Sequence, residues 1–156
     1  MATPLPIFTT QPDETTVLQP AVITYCASEN VDTYVIDGVF DLLLTSRISR
    51  IDSYLEIKVR LKSQGSKCVI TPAQWRLLNS HSPTSTFENN YRVLIYDQNN
   101  GGQYALATAS HLQSGITKKK PKNNSYITNN CLKELGWKPP HEISNDLLIW
   151  VNRQIK

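Results

Sequence analysis

No run of eighteen apolar residues occurs in the sequence, and its first sixteen residues have neither the basic flank nor the apolar core of a secretion signal. A membrane-spanning helix needs about 20 apolar residues, so we expect a cytoplasmic protein without a membrane span. Cysteine is also scarce, because only Cys26, Cys68 and Cys131 are present and they form no CxxC pair. This pattern argues against a zinc knuckle and favours free thiols in a reducing compartment.

Motifs of several common enzyme classes are missing as well. The sequence has no glycine-rich loop of the kind that cradles phosphates, and no Ser/His/Asp order typical of a hydrolase triad. Its three histidines, His81, His111 and His141, do not have metal-ligand spacing. What remains is a chain of 156 residues, 40% of them apolar, which is enough for one compact domain with a core.

Basic residues are absent from the first part of the chain. Residues 1–41 contain six Asp and Glu but no Lys or Arg, although the whole chain carries a net charge of +3. Further on, Lys118, Lys119, Lys120 and Lys122 lie within five positions. This run predicts a basic loop over residues 117–125 that neutralises the phosphates of DNA. A solubilising loop without a partner explains the same composition.

Composition and hydrophobic periodicity divide the chain into an arm and one domain. Proline and threonine are frequent in residues 1–16, which predicts an extended N-terminal arm. Residues 17–156 then predict a single domain, whose sheet core covers residues 17–110. β-Branched and aromatic residues indicate strands at 21–26 and 33–44.

The middle and the end of the chain alternate between strands and helices. Residues 54–61 alternate polar and apolar side chains, which is typical of a strand with one apolar face. Thr71 followed by proline predicts a helix over 72–79, and residues 91–96 are a second strongly apolar strand. C-terminal helices are expected over residues 128–156. The predicted fold class is therefore α/β, with a central mixed sheet flanked by helices.

Three ionisable residues suggest a site for chemistry. Asp41 lies within the apolar run 39–44, and burying a carboxylate costs several kcal/mol unless a cation compensates its charge. Glu56 and Lys58 are two residues apart on a strand, so their side chains point to the same face. If the strands carrying Asp41 and Glu56 pair, two carboxylates meet an ammonium group. Carboxylates that hold Mg²⁺ or Mn²⁺, beside a lysine that offsets charge on a phosphate, suit phosphodiester hydrolysis.

These residues resemble the signature of the PD-(D/E)xK nuclease superfamily, in which an Asp on a strand precedes a strand with ExK. Asp41 is followed fifteen residues later by Glu56-Ile57-Lys58, and the similarity covers about residues 35–97. It implies a restriction-endonuclease-like core and a Mg²⁺ or Mn²⁺ cofactor bound by Asp41 and Glu56. The same two residues and Lys58 would be catalytic, with DNA as the substrate. A DNA-cutting form of so small a protein is expected to act as a homodimer.

Three positions depart from that signature. Phe40 stands where the family has a proline before the Asp, and Gln74 stands where a related nuclease-like domain has a Glu. The family also has a helix before the Asp strand that often supplies an acid, whereas residues 17–34 look extended and offer only Glu29. Asp37 is an accessory ligand or belongs to a turn. Gln74 is a second accessory candidate, which points toward the metal or is an exposed amide.

A second function fits the same residues. Without a metal, Glu56 and Lys58 are a solvated or vestigial pair on a strand, and the protein is a non-catalytic module that binds nucleic acid or another protein. The distance between the carboxyl groups of Asp41 and Glu56 separates the two hypotheses. Groups within about 5 Å can share a cation, and groups on opposite faces of the sheet cannot.

Overall fold

The computed structural model describes residues 3–36, 38–61, 67–99 and 101–154. A π-helical segment (Glu14–Leu18) continues directly into α1 (Gln19–Ser28). The remaining elements, in chain order, are β1 (Val31–Val35), β2 (Leu42–Ser46), β3 (Asp52–Val59), β4 (Cys68–Ile70), α2 (Pro72–Asn79), α3 (Phe87–Asn90), β5 (Tyr91–Asp97), β6 (Gln103–Ala107), α4 (Ala109–Gln113), β7 (Ser125–Ile127), α5 (Asn129–Glu134) and α6 (Pro140–Val151).

Five strands form one mixed sheet in the order β1-β2-β3-β5-β6. The first three strands are antiparallel, β5 is parallel to β3, and β6 returns antiparallel to β5. The connection from β3 to β5 contains α2, as a parallel pair requires. β4 and β7 form a separate antiparallel ribbon. The predicted α/β class with a mixed sheet flanked by helices is confirmed.

Both faces of the sheet are covered. Leu55, Ile57 and Val59 of β3 belong to a core shared with α1 and α6 on one face. Val93 and Ile95 of β5 belong to a second core shared with α2, α4 and α5 on the other. Since β3 and β5 are buried from both sides, a polar residue on them lies inside the protein unless a gap opens between helices.

The N-terminal residues are not a free arm. The sequence predicts an extended segment over residues 1–16, but helical structure begins at Glu14. Leu5 is 1% exposed, and its N–H donates to Ser144 Oγ of α6 at 3.0 Å. The Tyr104 hydroxyl donates to the carbonyl oxygen of Pro6 at 2.6 Å. These contacts attach the segment to the domain.

The predicted strand at 21–26 is wrong, because these residues lie in α1. The buried residues Leu18, Val22 and Cys26 are four apart, which places them on one face of the helix. Packing of this face against the sheet outweighs the β propensity of the neighbouring Ile and Thr residues.

The predicted strand at 33–44 is a hairpin of two strands, β1 and β2. Gly38, between them, has a φ of 126°, a conformation that strongly favours glycine. The chain reverses there and β2 starts directly after Asp41. Asp41 is therefore at a strand end, where its side chain is not confined to one face of the sheet.

The predicted start of a helix is confirmed at two places where the sequence contains a capping threonine. α2 begins at Pro72 as expected, and Thr71 Oγ1 accepts a hydrogen bond from Gln74 N at 3.2 Å. α5 begins after Thr128, whose side chain caps it in the same way. Among the described residues no helix has the length and apolar content that crossing a membrane requires.

Candidate active site

The site is built where β3 continues beyond the end of its neighbour β2. β2 begins at Leu42, opposite Leu55, while β3 runs on to Val59 alongside β5. The backbone N–H groups of Ile57 and Val59 therefore face an open sheet edge. A buried N–H group needs an acceptor, and here side chains supply it.

Two carboxylates accept the hydrogen bonds that a longer β2 would accept from β3. Asp41 Oδ2 accepts a hydrogen bond from Ile57 N at 2.7 Å. Glu14, the first residue of the π-helical segment, accepts from Val59 N through Oε2 at 3.1 Å. A carboxylate has two oxygens with several acceptor positions, so each acid retains capacity to bind a cation. The open edge thus holds two acids side by side.

Glu56 completes a group of three carboxylates. Glu14, Asp41 and Glu56 each offer one oxygen, and these oxygens lie within 4.8 Å of one another. Glu56 itself is only 3% exposed. Asp41 and Glu56 therefore meet the distance condition for sharing a hard cation.

Lys58 and Gln74 lie beside this group. The Lys58 Nζ is 3.8 Å from Glu56 Oε1 and donates to Gln74 Oε1 at 3.0 Å. The Gln74 amide in turn donates through Nε2 to Glu56 Oε1 at 2.9 Å. Lys58 is 7% exposed and Gln74 is 7% exposed, so neither a solvated strand face nor an exposed amide describes these residues.

The start of α2 explains why Gln74 reaches the site. The Gln74 side chain accepts a hydrogen bond from Thr71 N at 3.1 Å, which closes a capping box. This bond holds the amide at the N-terminal end of α2, above the face of β3 that carries Glu56 and Lys58. Gln74, the third residue of α2, therefore caps the helix and also bridges the acid and the lysine.

Burial and like charge raise the pKa of two of the acids, Glu56 and Glu14. Desolvation raises the pKa of Glu56 to about 8, the nearby Lys58 ammonium opposes this, and the carboxylates of Asp41 and Glu14 add to it. Burial also raises the pKa of Glu14, again opposed by Lys58. The group is electrostatically unfavourable as three carboxylates, and a divalent cation would relieve the repulsion.

The structure brings most of the predicted site residues together. Asp41, Glu56, Lys58 and Gln74 are in direct contact or share one group. Asp37 lies outside the described residues. Glu29, the acid that the sequence offers before Asp41, caps the C-terminal end of α1 and is not in the carboxylate group.

Glu14 is the site residue that sequence reasoning missed. Asp13 Oδ1 accepts hydrogen bonds from Thr15 N and Thr16 N, at 3.0 and 2.8 Å. An Asp before an apolar periodic segment is a helix N-cap signal, and an acid in the first turn is favourable there. This signal was present in the sequence and identifies Glu14 as the first residue of a helix.

The lysine run is not part of the carboxylate group, although the chain just before it contacts α2. Lys118, Lys119, Lys120 and Lys122 are exposed. They follow Thr117, whose carbonyl oxygen accepts a hydrogen bond from Trp75 Nε1 at 2.8 Å. Because Trp75 is the neighbour of Gln74 in α2, the basic loop is anchored to the helix that contributes to the site.

Comparisons of the chain with protein-family models, with curated proteins and with solved structures give no match. Function is therefore inferred from the geometry and electrostatics of the site.

Proposed function

We propose that this protein is a metal-dependent nuclease with a restriction-endonuclease-like core, which hydrolyses phosphodiester bonds in DNA. The observation that carries the proposal is the convergence of Glu14, Asp41 and Glu56 within 4.8 Å, beside the buried ammonium of Lys58. Buried carboxyl groups with raised pKa values beside a buried ammonium group are typical of functional sites. If these buried charged residues had no function, apolar residues of similar volume at the same positions would leave the protein equally stable or more stable.

The helix before β2 supports the same proposal. The resemblance to the PD-(D/E)xK superfamily implies a helix before the Asp strand that often supplies an acid. The π-helical segment and α1 occupy that place in the chain, and Glu14 is the acid. One of the three departures from the family pattern is thereby removed.

Mg²⁺ or Mn²⁺ is the proposed cofactor. The donor set fits, because three carboxylates are hard oxygen ligands and the group includes no Cys or His. Glu14, Asp41 and Glu56 would hold the ion, which supplies Lewis-acid polarisation of a phosphate oxygen when bound. Lys58 places a positive charge where the phosphate becomes more negative. Gln74 orients Lys58 by accepting its hydrogen bond.

A non-catalytic binding module is the second candidate, and one observation favours it. Gln74 stands where the related domain has an acid, and its amide bridges Glu56 and Lys58 without a cation. In that function the amide satisfies the buried charges by itself. The two candidates differ in their response to divalent metal.

Divalent metal is expected to stabilise the folded protein. At a Mg²⁺ or Mn²⁺ concentration about 100 times the dissociation constant, binding to the folded state contributes ~2.7 kcal/mol. For a chain of this size this raises the melting temperature by about 5–10 °C. Thermal melts with Mg²⁺, with Mn²⁺ and with NaCl at equal ionic strength measure the shift, and a DNA cleavage assay accompanies them. An unchanged melting temperature together with intact DNA would reject the nuclease proposal.

The basic loop is expected to contact phosphates. Replacing Lys118, Lys119, Lys120 and Lys122 by Ala should weaken binding about equally for all DNA sequences, because phosphate contacts carry no sequence information. The slope of log affinity against log salt concentration should become shallower by up to roughly 3.6, at about 0.9 for each of the four lost contacts on a duplex. Lys133→Ala with Lys138→Ala, outside the loop, serves as the control. Unchanged affinity and salt slope in the loop variant would exclude the loop as the contact.

A further inference from the structure

A group of aromatic rings borders the carboxylates. The Phe40 ring centroid lies 4.9 Å from that of Tyr54, 5.8 Å from that of Phe87 and 5.4 Å from that of Tyr91. Phe87 also stacks on Tyr91, with centroids 4.8 Å apart and planes inclined by 16°. Tyr91 is 1% exposed, whereas Phe40, Tyr54 and Phe87 are half-buried. We refer to these three half-buried residues as the aromatic rim.

The aromatic rim is continuous with the carboxylate group. Phe40 directly precedes Asp41 in the chain, and Tyr54 is two residues from Glu56 on the same face of β3. Burial raises the pKa of the Tyr91 hydroxyl group, and the negative charges of Glu56 and Asp41 raise it further. Tyr91 therefore lies near both carboxylates. The aromatic rim therefore directly adjoins the proposed metal ligands Asp41 and Glu56.

The basic loop is connected to these ligands through α2. From Glu56 the contacts lead through the Gln74 amide to α2, and from Trp75 to Thr117 at the start of the loop. The aromatic rim and the basic loop are thus both connected to the carboxylates, the rim through neighbouring residues in the chain and the loop through α2. Rings suit bases and lysines suit phosphates, so the two groups fit one nucleotide strand bound at the site.

We propose that the aromatic rim stacks an unpaired nucleobase next to the phosphate at the carboxylates, which makes single-stranded or locally opened DNA the substrate class. This inference rests on the proposed nuclease function. Every base has a π face, so stacking on Phe40 requires no particular sequence. In a closed duplex both faces of a base are covered by its neighbours, and a ring on the protein reaches a base only where the helix is open.

Variants of Phe40 test the proposal through binding. Phe40→Leu keeps an apolar side chain but removes the ring, and Phe40→Trp keeps a ring. Fluorescence anisotropy with a labelled single strand and with its duplex, in Ca²⁺ to limit cleavage, gives both affinities. Phe40→Leu should bind the single strand about 10-fold more weakly than wild type, while Phe40→Trp retains affinity. Tyr34→Leu, which removes a 54%-exposed ring of β1 outside the site, should change nothing.

An abasic scan locates the contact. Single strands that lack one base at successive positions are compared in wild type and Phe40→Leu. At one position the base removal should weaken wild-type binding about 10-fold and leave the variant unaffected, because the ring and the base are partners of one interaction. Thermal melts of each variant separate loss of folding from loss of stacking.

The outcomes distinguish the rim from the nuclease function. Equal affinity of folded Phe40→Leu and wild type for the single strand, or wild-type preference for the duplex, would overturn the proposal of an unpaired base. Phe40-dependent binding without any metal-dependent cleavage would overturn the nuclease function and retain the rim as a base-binding surface. Cleavage of the single strand by Phe40→Leu with an unchanged KM would reject the rim alone.

Discussion

Replacement of Lys58 by methionine is expected to lower the rate of DNA cleavage at saturating Mg²⁺ by about 100-fold or more. Methionine keeps most of the length of the buried side chain and removes its charge together with its hydrogen bond to Gln74. A thermal melt without metal checks that the variant folds. The increase in melting temperature with Mg²⁺ should persist, because Lys58 is not a ligand and its removal relieves repulsion toward the cation. Single-turnover cleavage and thermal melts on the same preparations measure both effects.

A matched lysine provides the control for this variant. Lys138 lies just before α6, and its Nζ donates to Oδ2 of Asp146, within α6, at 2.7 Å. It is not part of the carboxylate group. Lys138→Met should keep the wild-type cleavage rate. If Lys58→Met also cleaves at the wild-type rate, Lys58 is a structural counter-ion for Glu56 and the catalytic assignment fails.

Replacement of Glu56 by glutamine should stabilise the metal-free protein at alkaline pH. The pKa of Glu56 is raised from 4.5 to about 8, so the folded state keeps a proton that the unfolded chain loses. The free energy of unfolding of the wild type therefore falls as the pH rises from 4.5 to about 8. Glutamine has no proton to lose, and at about 1.4 kcal/mol per pKa unit it should gain up to about 5 kcal/mol above this window.

The same variant should lose the response to metal. An amide oxygen carries no charge to hold the cation, so Mg²⁺ should no longer raise the melting temperature and cleavage should cease. Urea denaturation in EDTA across the pH range, and thermal melts with Mg²⁺, are the measurements. Glu142→Gln, at an exposed position of α6, is the control and should parallel the wild type. A Glu56→Gln protein that is less stable than wild type above pH 8 and still binds Mg²⁺ would contradict both the electrostatics and the ligand assignment.

The two variants separate activity from stability. Loss of cleavage in Lys58→Met comes from a missing charge at the phosphate, whereas loss of cleavage in Glu56→Gln comes with a missing ligand and a gain in stability. Active sites often contain groups that lower stability in return for function. A vestigial site would give stability effects without any effect on cleavage.

The alternation of polar and apolar residues along β3 determines much of the site. Period two places Glu56 and Lys58 on one face of a strand, since successive side chains point to opposite faces. The pattern does not reveal whether that face meets water or another layer. In the structure α2 covers it, and Gln74 joins Glu56 and Lys58 in a buried network.

In the N-terminal third, by contrast, the local sequence pattern predicts the wrong secondary structure. Local composition at residues 21–26 is rich in β-branched side chains and predicts a strand, yet the segment is helical. Leu18, Val22 and Cys26 form a helical stripe whose packing against the sheet exceeds the small differences in intrinsic propensity. Because residues 17–34 look extended in the sequence, the helical segment that begins at Glu14 is not predicted, and Glu14 is not identified as a candidate ligand.

The sequence by itself determined the α/β class and the helix at α2, because these depend on side-chain periodicity and caps. The pairing of β2 with β3, which brings Asp41 near Glu56, was a condition that the tertiary structure met. Only the tertiary structure decided that Glu14 joins them. The reason is a difference in strand length: β2 begins opposite Leu55 while β3 continues to Val59. The N–H group left open on Val59 is filled by a carboxylate 45 residues earlier in the chain, and no local pattern records a contact between such distant segments.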